Sequence, residues 1–196
     1  EKVVGAIKAE RTRDKRETRT PYGTAFLDVE ITMAFPDRMY MKVESTGAND
    51  PKKQVATTIM ALQPGAAFVS VNGTVQDLPP QAREEIERAL KFSIIATAQH
   101  AGDPKYTFEI IGSEKIGGLN TATLEVTAYG YSARWNIDPS SGRVTRISRM
   151  TMGFNGALVP TTFEYSDWRT ISGVTVPFKI VEAGANSSAI EVKSLE

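Results

Sequence analysis

The sequence AFLDVEITMAFPDRMYMKV, at residues 25–43, alternates between apolar and polar side chains on both sides of a Pro-Asp turn. Successive side chains of a β-strand point to opposite faces of the sheet, so this pattern predicts two strands that each bury one face. The interruption at Pro36-Asp37 predicts the tight turn of a hairpin. The expected apolar face of this hairpin consists of Leu27, Val29, Ile31, Met33, Met39, Met41 and Val43.

The same two-residue periodicity recurs along most of the chain between turn sequences. Asn72-Gly73, Gly117-Gly118 and Ser172-Gly173 supply the positive φ angles that two-residue hairpin turns require. The sequence therefore predicts a mainly β protein with few helices and about eleven antiparallel strands, too many to lie flat without strong curvature or partial closure. The polar segment 7–20 is predicted to be an exposed or edge strand that pairs with residues 25–35.

Residues 80–99 form the one segment that predicts a helix. Pro79-Pro80 is a start signal, and an apolar stripe follows at helical spacing. Beyond Lys91 the segment is apolar on nearly every side, which indicates burial. We expect this helix to lie across the sheet and to place Ile86, Leu90 and Ile94 against the hairpin face.

Together, the hairpin face and these helix residues are the candidate lining of an apolar ligand pocket. All 6 methionines of the chain fall on predicted strands. Methionine is flexible and polarizable, so it suits surfaces that accept irregular apolar shapes. Each of these residues is also compatible with an ordinary filled core, and the two interpretations differ in whether a continuous cavity exists.

Composition excludes several other functions. The 23 Lys and Arg residues are balanced by 23 Asp and Glu residues, so the chain lacks the net positive charge that is typical of nucleic-acid-binding proteins. The chain has no cysteine and a single histidine, His100, so we predict no metal site, no cofactor and no catalytic residue. A hydrolase is disfavoured because a Ser-His-Asp triad would depend on that one histidine. No stretch is long and apolar enough to predict a transmembrane segment.

Several segments carry a resemblance to a known family. The sequence is similar to outer-membrane lipoprotein-sorting proteins, the LolA/LolB-like superfamily, in segments that cover most of the chain from residue 25 to residue 196. These segments are FPDRMYMKV (35–43), AFVSVNGTVQDLPP (67–80), IGSEKIGG (111–118), WNIDPSSGRV (135–144) and YSDWRTISGVTVPF (165–178). They are turn and strand signatures, so they are specific for fold and weak for function.

The resemblance implies an unclosed β-barrel of about eleven strands, covered by helix, that accepts acyl chains. We expect residues 1–196 to form a single domain without the N-terminal helix of the family. Because the chain begins with Glu1, we also expect it to be a mature or excised segment.

The leading hypothesis is a non-catalytic domain, periplasmic or otherwise of the cell envelope, that binds a lipid, an acyl chain or a lipoprotein. The alternative is a structural or interaction module with a filled core, joined to neighbour domains in a larger secreted protein. The resemblance implies that similar domains are appended to larger secreted bacterial proteins, including zinc peptidases of the pitrilysin type. This chain has no HxxEH motif, so it would be an accessory part of such a protein.

Overall fold

The computed structural model describes residues 6–20, 23–47, 50–153, 156–184 and 187–196. The elements, in chain order, are β1 (Ala9–Thr20), β2 (Gly23–Ala34), β3 (Arg38–Gly47), β4 (Asp50–Gln63), β5 (Ala66–Val71), β6 (Thr74–Asp77), α1 (Pro80–Lys91), α2 (Ile94–Gln99), β7 (Tyr106–Ile116), β8 (Leu119–Ala128), β9 (Tyr131–Ile137), β10 (Val144–Met152), β11 (Leu158–Ile171), β12 (Val174–Ala183) and β13 (Ser187–Leu195).

All the strands belong to one antiparallel sheet that is not closed into a barrel. The strand order is β6-β5-β4-β3-β2-β1-β13-β12-β11-β10-β9-β8-β7, so β6 and β7 are its two edges. The mainly β class and the curved, unclosed sheet are confirmed, with 13 strands rather than about eleven. Strands β1 to β6 and β7 to β13 each form a meander of sequence neighbours, and the pairing of β1 with β13 joins the two.

The predicted two-residue turns are present and have the expected backbone geometry. Asn72 and Gly73 have φ angles of 50° and 87°, and Ser172 and Gly173 have 50° and 82°. Two successive positive φ angles define the turn whose twist matches that of the flanking strands. Tyr129-Gly130, with φ angles of 53° and 81°, makes the same type of turn without a typical turn residue at its first position.

The predicted pairing of residues 7–20 with residues 25–35 is confirmed in β1 and β2, but the prediction that residues 7–20 form an edge strand is wrong. Strand β1 lies inside the sheet, paired with β2 on one side and with β13 on the other. Arg13, Lys15, Glu17 and Arg19 on one face of the strand are exposed, whereas Asp14 and Thr18 on the alternate face are buried together with polar partners. Arg16 donates to both carboxylate oxygens of Asp14, over 2.7 and 3.1 Å, and the Thr18 hydroxyl lies 3.0 Å from that of Ser188. Polar composition therefore does not by itself place a strand at an edge.

The helical segment consists of two helices rather than one. Phe92 ends α1, and the Ser93 hydroxyl accepts a hydrogen bond from the Ala96 amide over 3.1 Å, which caps the start of α2. The expected burial of the second half is confirmed for Ile95 and Ala96, which are 8% and 4% exposed. Both helices lie on the same side of the sheet as the main core cluster, which includes Phe92.

The main core lies between the helices and strands β7 to β10. Its largest members are Trp135 on β9 and Tyr106 on β7, with Val126 and Ile147 beside them. The Tyr106 hydroxyl donates to the Lys91 carbonyl at the end of α1, over 2.9 Å. We call this region, β7 to β10 with α1 and α2, the packed half. The side of the sheet that carries Trp135 and the helices is the helix-bearing face, and the opposite side is the outer face.

Candidate functional site

The cross-strand register shows which side of the sheet the predicted hairpin face occupies. Residues directly opposite each other in an antiparallel pair point to the same face. Successive direct partners across the sheet form one row, which runs through Trp135, Ile147, Phe163, Glu182, Ser188, Thr18 and Ala25. The alternating positions that follow Ala25 on β2 are therefore on the helix-bearing face.

The hairpin residues lie together on that face. The direct pairs between β2 and β3 are Val29 with Val43, Ile31 with Met41, Met33 with Met39 and Leu27 with Ser45. Strand β4 extends the same surface, because Met60 is the partner of Met41 and Leu62 is the partner of Met39. The result is a continuous apolar surface across β2, β3 and β4, which we call the open half.

Burial distinguishes the open half from the packed half. Val29 is 3% exposed and Leu62 is 4% exposed. The other apolar side chains of the surface are only half-buried, and they are Leu27, Ile31, Met33, Met39, Met41, Val43 and Met60. Incompletely buried apolar side chains that share one surface are the property expected of a site that accepts an apolar ligand.

The three predicted helix residues have different positions. Leu90, 2% exposed, shares a cavity of about 210 Å³ with Leu62 and with Pro36-Asp37 in the β2–β3 turn. Ile94 packs against the core cluster of the packed half, and Ile86 is half-buried on α1. Leu90 is thus the predicted helix residue that the structure brings next to the open half. The role of all these residues in ligand binding stays a prediction.

Cavities lie beside the helices and also on the outer face. A second cavity, of about 290 Å³, lies at the other margin of α1, next to Arg88 and Tyr131. A larger one, of about 490 Å³, lies where Phe26, Asp28 and Val181 meet. Phe26 and Asp28 alternate with Leu27 and Val29 along β2, so this cavity is on the outer face. It was not expected from the apolar alternation, because charged residues form much of its lining.

A row of polar residues on β1 was also not recognised as part of the site. Glu10, Thr12, Asp14, Arg16 and Thr18 alternate along the strand. Their partners on β2 include residues of the apolar hairpin face, so the row lies on the helix-bearing face. Alternation was the signal that could have found it, since every second residue of β1 belongs to the row.

Glu10 differs from the other charged residues of this row. Asp14 is paired with Arg16, and Thr18 with Ser188. Among the described residues, no ion pair or hydrogen bond is found for the Glu10 carboxyl group, which is half-buried beside its cross-strand partner Met33. Burial raises the pKa of Glu10 from 4.5 to about 7, because the charged form loses its hydration.

Charged residues also fasten helix α1 to the packed half. Glu85 accepts from Arg149 of β10 over 2.8 Å and from Arg88 of its own helix over 2.9 Å. The Arg88 guanidinium lies 4.0 Å from the ring centre of Tyr131. These contacts join α1 to strands β9 and β10, and therefore hold the helix next to the packed half.

His100 has a local structural role at the end of α2. Its ring stacks on Tyr106 at 5.4 Å between centres, and its Nδ1 lies 3.5 Å from an Asp103 carboxylate oxygen. Within the described residues, no three histidine, aspartate or glutamate side chains are grouped so that they could hold a metal ion. No described helix combines the length and apolarity needed to cross a bilayer.

An unclosed, curved sheet with short helices on one face is the LolA-like fold, and comparison with solved structures supports this assignment. A LolA superfamily protein from Nitrosomonas europaea superposes with a TM-score of 0.64 at 13% identity, over 97% of this chain and 86% of the other. A protein from Vibrio parahaemolyticus, described as an outer membrane lipoprotein-sorting protein domain, gives 0.61 at 13% identity, over 100% and 88%.

A DUF1329 family protein from Desulfovibrio piger gives a TM-score of 0.61 at 11% identity, over 100% of this chain and 88% of the other. At these identities the likeness extends to the fold alone. No protein-family model matches the sequence, and no curated protein matches it.

Proposed function

We propose that this protein is a non-catalytic domain of the cell envelope that binds an acyl chain, free or as part of a lipid or lipoprotein. The ligand lies on the apolar surface of the open half, beside α1. The observation that carries the proposal is the half-buried, methionine-rich surface on the helix-bearing face. The packed half fills the equivalent surface with Phe92, Tyr106 and Trp135.

The chemistry of the surface supports an apolar ligand rather than a polar one. Met33, Met39, Met41 and Met60 adjoin one another across three strands. Their unbranched side chains change rotamer at small energetic cost, which allows one surface to contact chains of different length and shape. Contact with an acyl chain removes apolar surface from water, and this burial favours binding by about 25 cal/mol for each Å².

The LolA-like fold supports the proposed location and ligand class. One of the solved proteins with this fold is described as an outer membrane lipoprotein-sorting protein domain. We treat residues 1–196 as one domain, since the sheet is continuous from β6 to β7. The location is tested by detecting the native protein with an antibody in separated periplasmic, membrane and cytosolic fractions. Recovery only from the cytosol would contradict it.

Binding is tested directly with a fluorescent fatty acid, comparing the wild type with a Met41→Trp variant. Met41 is half-buried on the helix-bearing face, so the larger ring occupies space that the ligand would use. We expect saturable binding to the wild type and a large loss of affinity in the variant at nearly unchanged stability. Tyr40→Trp is the matched control, because Tyr40 is exposed on the outer face of the same strand.

A filled core gives the opposite result. In that case Met41→Trp overpacks the region and lowers the free energy of unfolding by about 1 to 3 kcal/mol. Absence of binding to the wild type, together with this destabilisation, would exclude the carrier function. It would support the alternative of a structural module within a larger secreted protein.

A further inference from the structure

We propose that Glu10 binds the ammonium head of an amphiphile whose apolar chain lies on the open half. This inference rests on the proposed function and specifies the chemical class of its ligand. The structural basis is a carboxyl group that has no partner among the described residues and that adjoins the methionine surface.

On the β2 side of the strand, Glu10 adjoins the apolar hairpin face. Its direct partner on β2 is Met33, whose own partner on β3 is Met39. On the other side of β1, Thr12 lies opposite Leu195 and Asp14 lies opposite Val192 of β13. The Glu10 carboxyl group is therefore a polar group at one end of an apolar surface. This arrangement orients an amphiphilic ligand with its polar head at Glu10 and its apolar chain along the surface.

The other charges of the row cannot neutralise Glu10 without losing their present partners. Asp14, whose side chain is 4% exposed, already accepts two hydrogen bonds from Arg16. From α2, the Gln99 amide nitrogen donates to the Ile7 carbonyl over 2.6 Å. The Gln99 side chain is neutral, so it supplies no counter-charge.

The chemistry of an unpaired, partly dehydrated carboxylate selects the ligand head group. A carboxylate accepts hydrogen bonds only, and an ammonium group offers three donors together with the opposite charge. A carboxylate or phosphate head would be repelled, and a hydroxyl head would offer a single neutral donor. Charge-assisted hydrogen bonds are roughly twice as strong as neutral ones. We therefore expect an amine head to raise affinity by at least about tenfold over a hydroxyl head.

The test compares three probes with the same chain length: dodecylamine, dodecanol and dodecanoic acid, each below its micellar concentration. Their affinities are measured by displacement of an apolar dye from the wild type, from Glu10→Gln and from Glu17→Gln. Glu17 is the control because it is an exposed carboxylate on the outer face of the same strand. Thermal melting establishes that each variant is folded.

The expected result is an order of affinity of dodecylamine, then dodecanol, then dodecanoate in the wild type and in Glu17→Gln. In Glu10→Gln the amine should lose its advantage of about tenfold while dodecanol binds as before. Equal affinities of amine and alcohol in the wild type, or an amine preference that survives Glu10→Gln, would overturn the assignment of Glu10 and leave the acyl-binding function intact. Failure of every probe and of the dye to bind would overturn both proposals.

Discussion

The packed half and the open half belong to one sheet and one face, yet they use their apolar residues differently. In the packed half, large rings such as Trp135 and Tyr106 fill the space under α1 and α2. In the open half, most of the methionines and β-branched residues of β2, β3 and β4 are only half-buried. The comparison teaches that alternation sets the direction of a side chain, whereas the position of the helix decides whether that side chain is covered.

The largest expected effect compares the same substitution in the two halves. Ile147 is 3% exposed in the packed half, and Ile31 is half-buried in the open half on the same face. Ile147→Ala should lower the free energy of unfolding by about 4 kcal/mol, because it removes transfer free energy and leaves a cavity. Ile31→Ala should cost only about 1 kcal/mol, since its side chain is partly in water already. Urea denaturation measures both values, and equal losses would contradict the division into halves.

Charge burial on β1 should give the next largest effect. Arg16→Met leaves the Asp14 carboxylate buried without its partner, and it should lower the free energy of unfolding by about 3 kcal/mol. On the outer face of the same strand, Lys15 pairs with Asp28 at 64% and 54% side-chain exposure. Lys15→Met should therefore cost less than about 1 kcal/mol.

The double variant Asp14→Leu with Arg16→Met sharpens this result. Removing both charges at once should restore most of the free energy of unfolding that Arg16→Met alone loses, because no unpaired charge remains buried. Chemical denaturation of the single and double variants gives the comparison. A double variant as unstable as Arg16→Met alone would show that the loss comes from packing rather than from charge.

A smaller effect concerns the pH dependence of stability. The pKa of Glu10 is raised from 4.5 to about 7 by burial, so the folded chain binds more protons than the unfolded chain between these values. The stability of the wild type relative to Glu10→Gln should therefore fall as the pH rises through this window. Melting temperatures of the two proteins between about pH 3.5 and pH 8, about one unit beyond each limit, measure the difference. A constant difference would contradict the burial of Glu10.

The smallest expected effect is that of a chelator. We expect EDTA to leave the melting temperature of the protein unchanged. A chelator lowers stability only where a bound metal ion stabilises the folded state, and no group of metal-ligating side chains is found among the described residues. A fall in melting temperature that added calcium reverses would reveal a site of oxygen ligands. Differential scanning calorimetry of the wild type with and without EDTA decides between these outcomes.

Local features of the fold were predictable from the sequence. The hairpin of β2 and β3, its apolar face and the turn at Asn72-Gly73 depend on residues close together in the chain, whose conformational preferences are local. The start of α1 at Pro80 was predictable for the same reason. The division of the helix at Phe92-Ser93 was not, because a serine within an apolar segment was not recognised as a cap.

Features that depend on distant residues were not predictable in the same way. The Thr18 hydroxyl is buried against Ser188, which is 170 positions away in the chain, and nothing near Thr18 identifies that partner. The same limit applies to the candidate site. The apolar direction of Met41 follows from alternation, but its partial exposure depends on where α1 lies. Burial of Glu10 likewise depends on neighbours that a polar segment does not reveal.

The pairing of β1 with β13 has a consequence for the order of folding. Every other ladder of the sheet joins strands that follow one another in the chain, whereas this one joins β1 and β13, at opposite ends of the described elements. Closing so large a loop costs more chain entropy than forming a hairpin, and non-local pairings slow folding. We expect the two meanders to form first and the central ladder to form last. In pulse-labelling hydrogen exchange, amides of β1 that donate to β13 should then become protected after those of the β8–β9 hairpin.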